Sequence, residues 1–189
     1  MPLCYGGGIK TVEQAEIVIA QGVEKVAISS AAIEQPDFVA QLAQVIGKQS
    51  VVVVLDVKRG ERGHYEVFLD SGRRPTGIDP VRLAAEVAER GAGEVVINAI
   101  DSDGVMAGYN LDLIAAVRDA VTVPITALGG AGSLKDMAAL ISRFGVIGAA
   151  AGSLFVFKGV YRAVLISYPA PGDKDRMIKE ATGAWLASQ

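Results

Sequence analysis

Two aspartates close strongly apolar runs: Asp56 follows Val51-Val52-Val53-Val54-Leu55, and Asp101 follows Val95-Val96-Ile97-Asn98-Ala99-Ile100. A carboxylate at the end of a buried strand is partly desolvated, which pushes its pKa towards neutrality and suits it to general acid–base work. The competing reading is a carboxylate that caps a loop or pairs with a cation such as Lys58. Small-residue turns accompany the aspartates. Gly6-Gly7-Gly8 and Gly129-Gly130-Ala131-Gly132 are glycine clusters, and Ser29-Ser30 and Gly152-Ser153 each follow a further apolar run. Gly7, Gly8, Gly129 and Gly130 can present backbone N–H groups to a phosphate, Ser29, Ser30 and Ser153 can add hydroxyls, and a helix starting at Gly152-Ser153 adds its positive end. Glycine at such turns also occurs for steric reasons alone.

The two glycine clusters are copies of one unit. A shift of 123 residues carries Gly6-Gly7 onto Gly129-Gly130, Gly22 onto Gly145 and Ser29-Ser30 onto Gly152-Ser153. The repeat predicts two equivalent phosphate sites, or a duplicated ancestor that kept only one. The only histidine, His64, lies in a polar segment and reads as a solvated loop residue. Lys58, Arg59, Arg62, Arg73 and Arg74 read equally well as a solvated face or as a lid over an anionic substrate. No His/Cys/Asp cluster has metal-ligand spacing, a single histidine leaves no Ser-His-Asp arrangement, and no cofactor is expected.

These groups need a scaffold, and strands alternate with helices along the chain. Strands are expected over 2–6, 25–29, 50–56, 94–100, 123–128 and 146–151. Helices are expected over 12–21, 37–46, 80–90, 111–120 and 134–144, several of them stopped by glycine. Residues 58–77 form an irregular polar insertion in which 64–69 can make a small hairpin. The run at 51–55 has no polar alternation, as expected of a parallel strand covered on both faces. Polar or glycine residues follow every strand, which favours a closed barrel over an open sheet with one switch point. In an eight-stranded ring the repeat would set the two glycine turns opposite each other. Six strands are found where a (β/α)8 barrel needs eight, and the deficit of two βα units falls at the front. The partial barrel is expected over 1–168, with a polar tail over 169–189 that can form an amphipathic helix near 173–186.

The chain has 189 residues, is 51% apolar and has a formal charge of −3. That is enough for one sizeable core, and it gives no reason to expect nucleic acid or an anionic membrane surface as partner. No apolar run is long enough for a membrane span and no leader is recognisable, so a cytoplasmic protein is expected. The single cysteine, Cys4, excludes an internal disulfide framework and reads as buried packing.

Val52-Val53-Val54-Leu55-Asp56-Val57-Lys58-Arg59, Gly91-Ala92-Gly93-Glu94, Ile100-Asp101-Ser102-Asp103-Gly104, Gly108-Tyr109 and Gly129-Gly130-Ala131-Gly132 closely resemble HisF, the cyclase subunit family of imidazole glycerol phosphate synthase. The similarity runs from Pro2 to about Phe157. It implies a duplicated (β/α)8 TIM barrel of the ribulose-phosphate-binding type that holds a small-molecule substrate with a phosphate at each end. It also implies a HisH-type glutaminase partner, whose ammonia enters at the N-terminal face of the barrel and reacts at the other face. Imidazole glycerol phosphate and an aminoimidazole carboxamide ribotide would be released. By resemblance Asp56 is one of two acid–base carboxylates, and Lys25 and Glu94 match half of the charged gate at the ammonia entrance. The first two strands, with the other carboxylate of the pair, have no counterpart, and Met1 resembles an internal methionine. The chain alone is therefore expected not to catalyse the cyclase reaction and to expose two open sheet edges. Ala151-Gly152-Ser153-Leu154-Phe155-Val156-Phe157-Lys158-Gly159 and Arg162-Ala163-Val164-Leu165-Ile166-Ser167-Tyr168-Pro169 resemble the WbuZ-like HisF paralogues of sugar amidation, which work with a HisH-like glutaminase and a sugar amidotransferase. The balance of the sequence favours that branch over histidine biosynthesis. The alternative in a different class is a non-catalytic fragment that binds phosphate or docks a glutaminase.

Overall fold

A computed structural model describes residues 2–60, 63–159 and 161–189. Met1 and Arg62, which enter the expectations above, lie outside the described residues. In chain order the first elements are β1 (Cys4–Gly6), α1 (Val12–Ala20), β2 (Lys25–Ile28), α2 (Ser30–Glu34) and α3 (Asp37–Ile46). Then come β3 (Val51–Arg59), β4 (Tyr65–Leu69), β5 (Arg74–Pro75), α4 (Pro80–Arg90) and β6 (Glu94–Ala99). The remainder is α5 (Leu111–Ala120), β7 (Ile125–Leu128), α6 (Leu134–Phe144), β8 (Gly148–Ala149), α7 (Ser153–Val156), β9 (Phe157–Lys158), β10 (Ala163–Val164) and α8 (Pro171–Ala187). The fold class is α/β with a parallel sheet built from βα units, the TIM-type repeat that the alternation predicts. The chain divides into two compact units, Met1–Ile97 with Ala116–Ile125, and Asn98–Ala115 with Thr126–Gln189.

In the first unit β2 lies between β1 and β3, β6 lies beside β3, and the start of β7 lies beside β6. The pairs are parallel, with Cys4 opposite Lys25 and Ile28 opposite Val53. Gly93 N–H donates to the Val51 carbonyl at 2.9 Å and Val95 N–H to that of Pro124 at 3.0 Å. Val51, Val53 and Leu55 are fully buried, as their unbroken apolar run requires of a strand covered on both faces. Helices α3 and α4 pack against this strand. Burial of each such side chain is worth about 1.5–3 kcal/mol. Helix α4 starts at Asp79, whose side chain accepts from Arg82 N–H at 2.9 Å, and stops at Gly91 in the left-handed region.

Three local expectations are corrected. Strand β3 runs past Asp56 to Arg59, because residues 65–69 return antiparallel along it with Asp56 opposite Phe68 and Arg59 opposite Tyr65. Lys58 lies over the Phe68 ring at 4.3 Å and donates to the Gly72 carbonyl at 3.0 Å. Arg59 lies over Tyr65 at 4.6 Å and donates to the Gly63 carbonyl at 2.9 Å. Both cations are thus engaged in holding the hairpin. A short helix, α2, follows Ser29, where the sequence indicated none. Cys4 is exposed and not buried, since the residues of β1 are all open on this strand of the sheet. Partial burial, and then the Glu94 carboxylate, still push its thiol pKa up, which keeps it protonated near neutrality.

In the second unit β7 pairs parallel with β8, Thr126 opposite Gly148 and Ala127 opposite Ala149. Helix α6 begins in a capping box: Ser133 accepts from Asp136 N–H, and Asp136 accepts from Ser133 N–H. The expected amphipathic helix of the tail is α8, which packs on α6 with Ala181 buried between them. The Trp185 ring lies against Gly145, the residue that ends α6. Strands β9 and β10 form a separate antiparallel pair.

Candidate functional site

The first glycine turn leaves β1 with Gly7 at φ +102° and Gly8 at φ +80°, and a Cβ at either position would meet nothing within 4 Å. Glycine is required there by backbone conformation, while the space beside it stays open. That space is a cavity of about 660 Å³ within the first unit. Gly7, Gly8, Ser29, Ser30 and Asp56 all line it. The reason lies in the register: β1, β2 and β3 run parallel, so the residues that follow each strand gather at one end of the sheet. Ser29 precedes α2, and its hydroxyl makes no capping bond. Asp56 is half-buried where β3 passes from its parallel neighbours to the hairpin. The cavity wall is completed by the hairpin tip, Asp70 and Ser71, and by Glu34 and Lys10. These four were not singled out in the sequence as site residues: Asp70, Ser71 and Glu34 become neighbours of the turn only through the β4–β5 tip and α2, and Lys10, two residues after Gly8, carries no pattern of its own.

At the other end of the same strands, Lys25 opens β2 and Glu94 opens β6. They form an ion pair of 2.6 Å, with Glu94 the less exposed partner. The sequence separates these residues by 69 positions.

The second glycine turn differs physically from the first. Gly129 and Gly130 are buried. A Cβ on Gly129 would come to 2.5 Å from the Ala99 carbonyl oxygen, and one on Gly130 would overlap the Gly108 carbonyl oxygen. Here glycine is demanded by the close approach of the 99–108 segment as well as by φ of +89° and +105°. The Asp136 carboxylate takes the N–H groups of Gly132 at 3.0 Å and Ser133 at 2.8 Å, which holds the turn from behind. Gly152 is exposed with open space beside it, and Ser153 begins α7. Since α7 spans four residues and α2 five, neither adds much of a helix dipole, and any anion bound there must rely on N–H groups and hydroxyls. Arg162, not expected as a site residue, brings its guanidinium beside Gly104, which the Ser153 hydroxyl also neighbours. Asp101 does not end its strand: β6 stops at Ala99 and Asp101 is exposed in the following turn. The desolvation expected for it is therefore absent.

Tyr109 supports this second turn. Its hydroxyl donates to the Ala150 carbonyl at 2.9 Å, and burial, then the Asp136 charge, push its pKa up to about 12. Below the ordinary tyrosine pKa of about 10 both folded and unfolded states are protonated and the stabilisation is complete. Between pH 10 and 12 the unfolded chain ionises first, so stability is lost as pH rises. Tyr109→Phe is expected to cost about 1 kcal/mol at neutral pH and to remove this alkaline loss. Urea midpoints of the two proteins should converge above pH 10; parallel curves would contradict the assignment.

Among the described residues no group of three His, Cys, Asp or Glu side chains is placed to hold a metal ion. No helix among them is long and apolar enough to cross a membrane.

Comparison with known proteins places the chain in a family. The family model described as "Histidine biosynthesis protein" matches residues 1–162. A Vibrio vulnificus protein named "Putative imidazole glycerol phosphate synthase subunit hisF3" is 50% identical over 180 residues, which cover 95% of this chain and 69% of that protein. "Putative imidazole glycerol phosphate synthase subunit HisF" of Leptospira interrogans is 50% identical over 94% of this chain and 70% of its own length. "Imidazole glycerol phosphate synthase subunit HisF" of Alkaliphilus metalliredigens is 41% identical over 85% and 64%. The chain therefore belongs to the histidine biosynthesis protein family and, within it, to the HisF group.

Proposed function

We propose that this chain carries cyclase chemistry of the imidazole glycerol phosphate synthase type. Ammonia from a HisH-type glutaminase reacts with a substrate phosphorylated at both ends, and cleavage with ring closure gives imidazole glycerol phosphate and an aminoimidazole carboxamide ribotide. The observation that carries this reading is the cavity that Gly7, Gly8, Ser29 and Ser30 share with Asp56. The N–H groups of Gly7 and Gly8 and the two serine hydroxyls are donors for one phosphate. Asp56, on the rigid β3, takes or returns the proton at the reacting carbon skeleton. Gly129, Gly130, Gly152 and Ser153 serve the other phosphate, and Asp101 is the second carboxylate candidate. Lys25 and Glu94, at the opposite strand ends, form part of the ammonia entrance and face the glutaminase.

A second reading rests on residues 151–159 and 162–169, whose sequence resembles the sugar-amidation paralogues. In that branch the ammonia is passed on through a sugar amidotransferase to an acetamido sugar of surface polysaccharide. One experiment separates the readings. The subunit carrying this sequence is supplied with ammonium, then with glutamine and a HisH-type glutaminase, and products are followed by mass spectrometry. Imidazole glycerol phosphate from the bis-phosphate substrate supports the cyclase reading. Ammonia-dependent amidation of an acetamido sugar with the amidotransferase present, and no cyclisation, replaces it with the second. Binding of the bis-phosphate substrate with neither product reduces the chain to a binding module.

A further inference from the structure

The cavity beside Gly7 and Gly8 has an electrostatic difficulty. Among the described residues, three carboxylates, Asp56, Glu34 and Asp70, line it, against a single lining cation, Lys10. A phosphate brought into such a site meets more negative than positive charge, and like charges at these separations weaken binding. The structure contains an answer just behind the rim. Arg74, from β5, donates from its Nη2 to Glu34 and from its Nε to Asp70 at 3.0 Å, so one guanidinium covers both rim carboxylates. The bond to Glu34, then that to Asp70, raises the Arg74 pKa further, so its charge is permanent.

The same contacts fix the shape of the wall. Asp70, Ser71 and Gly72 stand in succession at φ of +53°, +56° and +81°. Two consecutive non-glycine residues in the left-handed region are unfavourable and persist only where surrounding contacts hold them. Arg73 Nε donates to the Asp70 carbonyl at 2.9 Å and Arg74 holds its carboxylate. Glu34, at the far end of α2, ties this tip to the helix that opens with Ser30.

We propose that Arg74 is a positioning residue for the phosphate end held by Gly7, Gly8, Ser29 and Ser30. It neutralises Glu34 and Asp70 at the mouth of the cavity. It does so without touching the ligand. The inference rests on the phosphate reading of this cavity, and the test distinguishes the two.

The probe is inorganic phosphate, titrated at low ionic strength into the full chain while the amide resonances of Gly7 and Gly8 are followed by NMR. In the wild type these two amides should shift saturably. Arg74→Ala should weaken phosphate binding at them by about tenfold or more, because two uncovered carboxylates then face the anion, and added salt should narrow the gap. An exposed ion pair adds little to stability, so melting should stay near wild type. The triple variant Arg74→Ala/Glu34→Gln/Asp70→Asn should recover binding to within about threefold of wild type, since it removes the charges that Arg74 covers. Asn tolerates the left-handed region, so the tip can keep its conformation. Wild-type amides that do not respond to phosphate overturn the cavity reading and the inference with it. A responsive wild type with Arg74→Ala binding equally well overturns the inference alone. Failure of the triple variant to recover binding also overturns it, because the loss in Arg74→Ala would then not come from the uncovered charges of Glu34 and Asp70.

Discussion

Asp56→Asn is expected to lower ammonia-dependent turnover by about 10²–10⁴-fold while leaving phosphate binding at Gly7 and Gly8 intact. The substitution keeps the size and hydrogen-bonding reach of the side chain and removes only its capacity to take and return a proton. Its backbone is held on both sides, by the sheet and by Phe68 of the hairpin, so the fold should tolerate the change. The measurement is steady-state kinetics on the subunit carrying this sequence, assembled with a glutaminase and also supplied with ammonium directly. A fall in kcat with KM nearly unchanged is expected, because the group acts on the reacting atoms and adds little to ground-state binding. An Asp56→Asn protein with undiminished kcat would remove Asp56 from the chemistry.

Gly130→Ala is expected to destabilise the second unit by about 3 kcal/mol or more, from a positive φ and an overlap with backbone that cannot move aside. The Gly108 carbonyl oxygen occupies the place of the new methyl group, and Gly108 N–H donates to the Gly130 carbonyl at 2.8 Å. The segment is thus held from both directions and has no easy relaxation. Trp185 is the only tryptophan and lies against Gly145 in the same unit, so its fluorescence during urea unfolding reports the loss. Gly7→Ala, at the position that the shift of 123 carries onto Gly130, is the instructive comparison. Its φ of +102° costs about 1–2 kcal/mol in any L-residue, but no atom stands where the Cβ would go. The two members of the sequence repeat should therefore separate clearly on a denaturation curve. Equal losses at Gly7 and Gly130 would contradict the packing described here.

That contrast marks where sequence reasoning stops. The repeat of 123 residues is visible in the chain, and it predicts two like turns. It carries no information on what packs over each turn, because the neighbours come from segments that the repeat does not align: the open cavity in one case, residues 99–108 in the other. Element types were legible for local reasons. Gly22, Gly47, Gly91 and Gly145 all take positive φ after their helices, as a helix stop without a Cβ does. Val51–Leu55 is buried as an unalternating run should be. Boundaries set by pairing were not legible: β3 gained Val57, Lys58 and Arg59 only because residues 65–69 return along it, and Cys4 is exposed because of what its strand does and does not pair with.

For the candidate site, residue types and their place after strands were enough to single out Asp56, Gly7, Gly8, Ser29 and Ser30. Parallel register then brings those five around one cavity, which a one-dimensional pattern can anticipate because strand ends collect on one side of a parallel sheet. The Lys25–Glu94 pair came from resemblance to HisF, and its 2.6 Å contact from β2 and β6 flanking β3 in the sheet. Asp101 shows the opposite outcome, since the strand before it ends at Ala99 and leaves the carboxylate in an exposed turn. Arg74 belonged to a basic run that read equally as a solvated face or a lid over an anionic substrate, and Glu34 and Asp70 carried no chemical pattern of their own. Only the tertiary structure sets one guanidinium between two carboxylates at the cavity mouth, because a charge is assigned its work by the three-dimensional field around it and not by its neighbours along the chain.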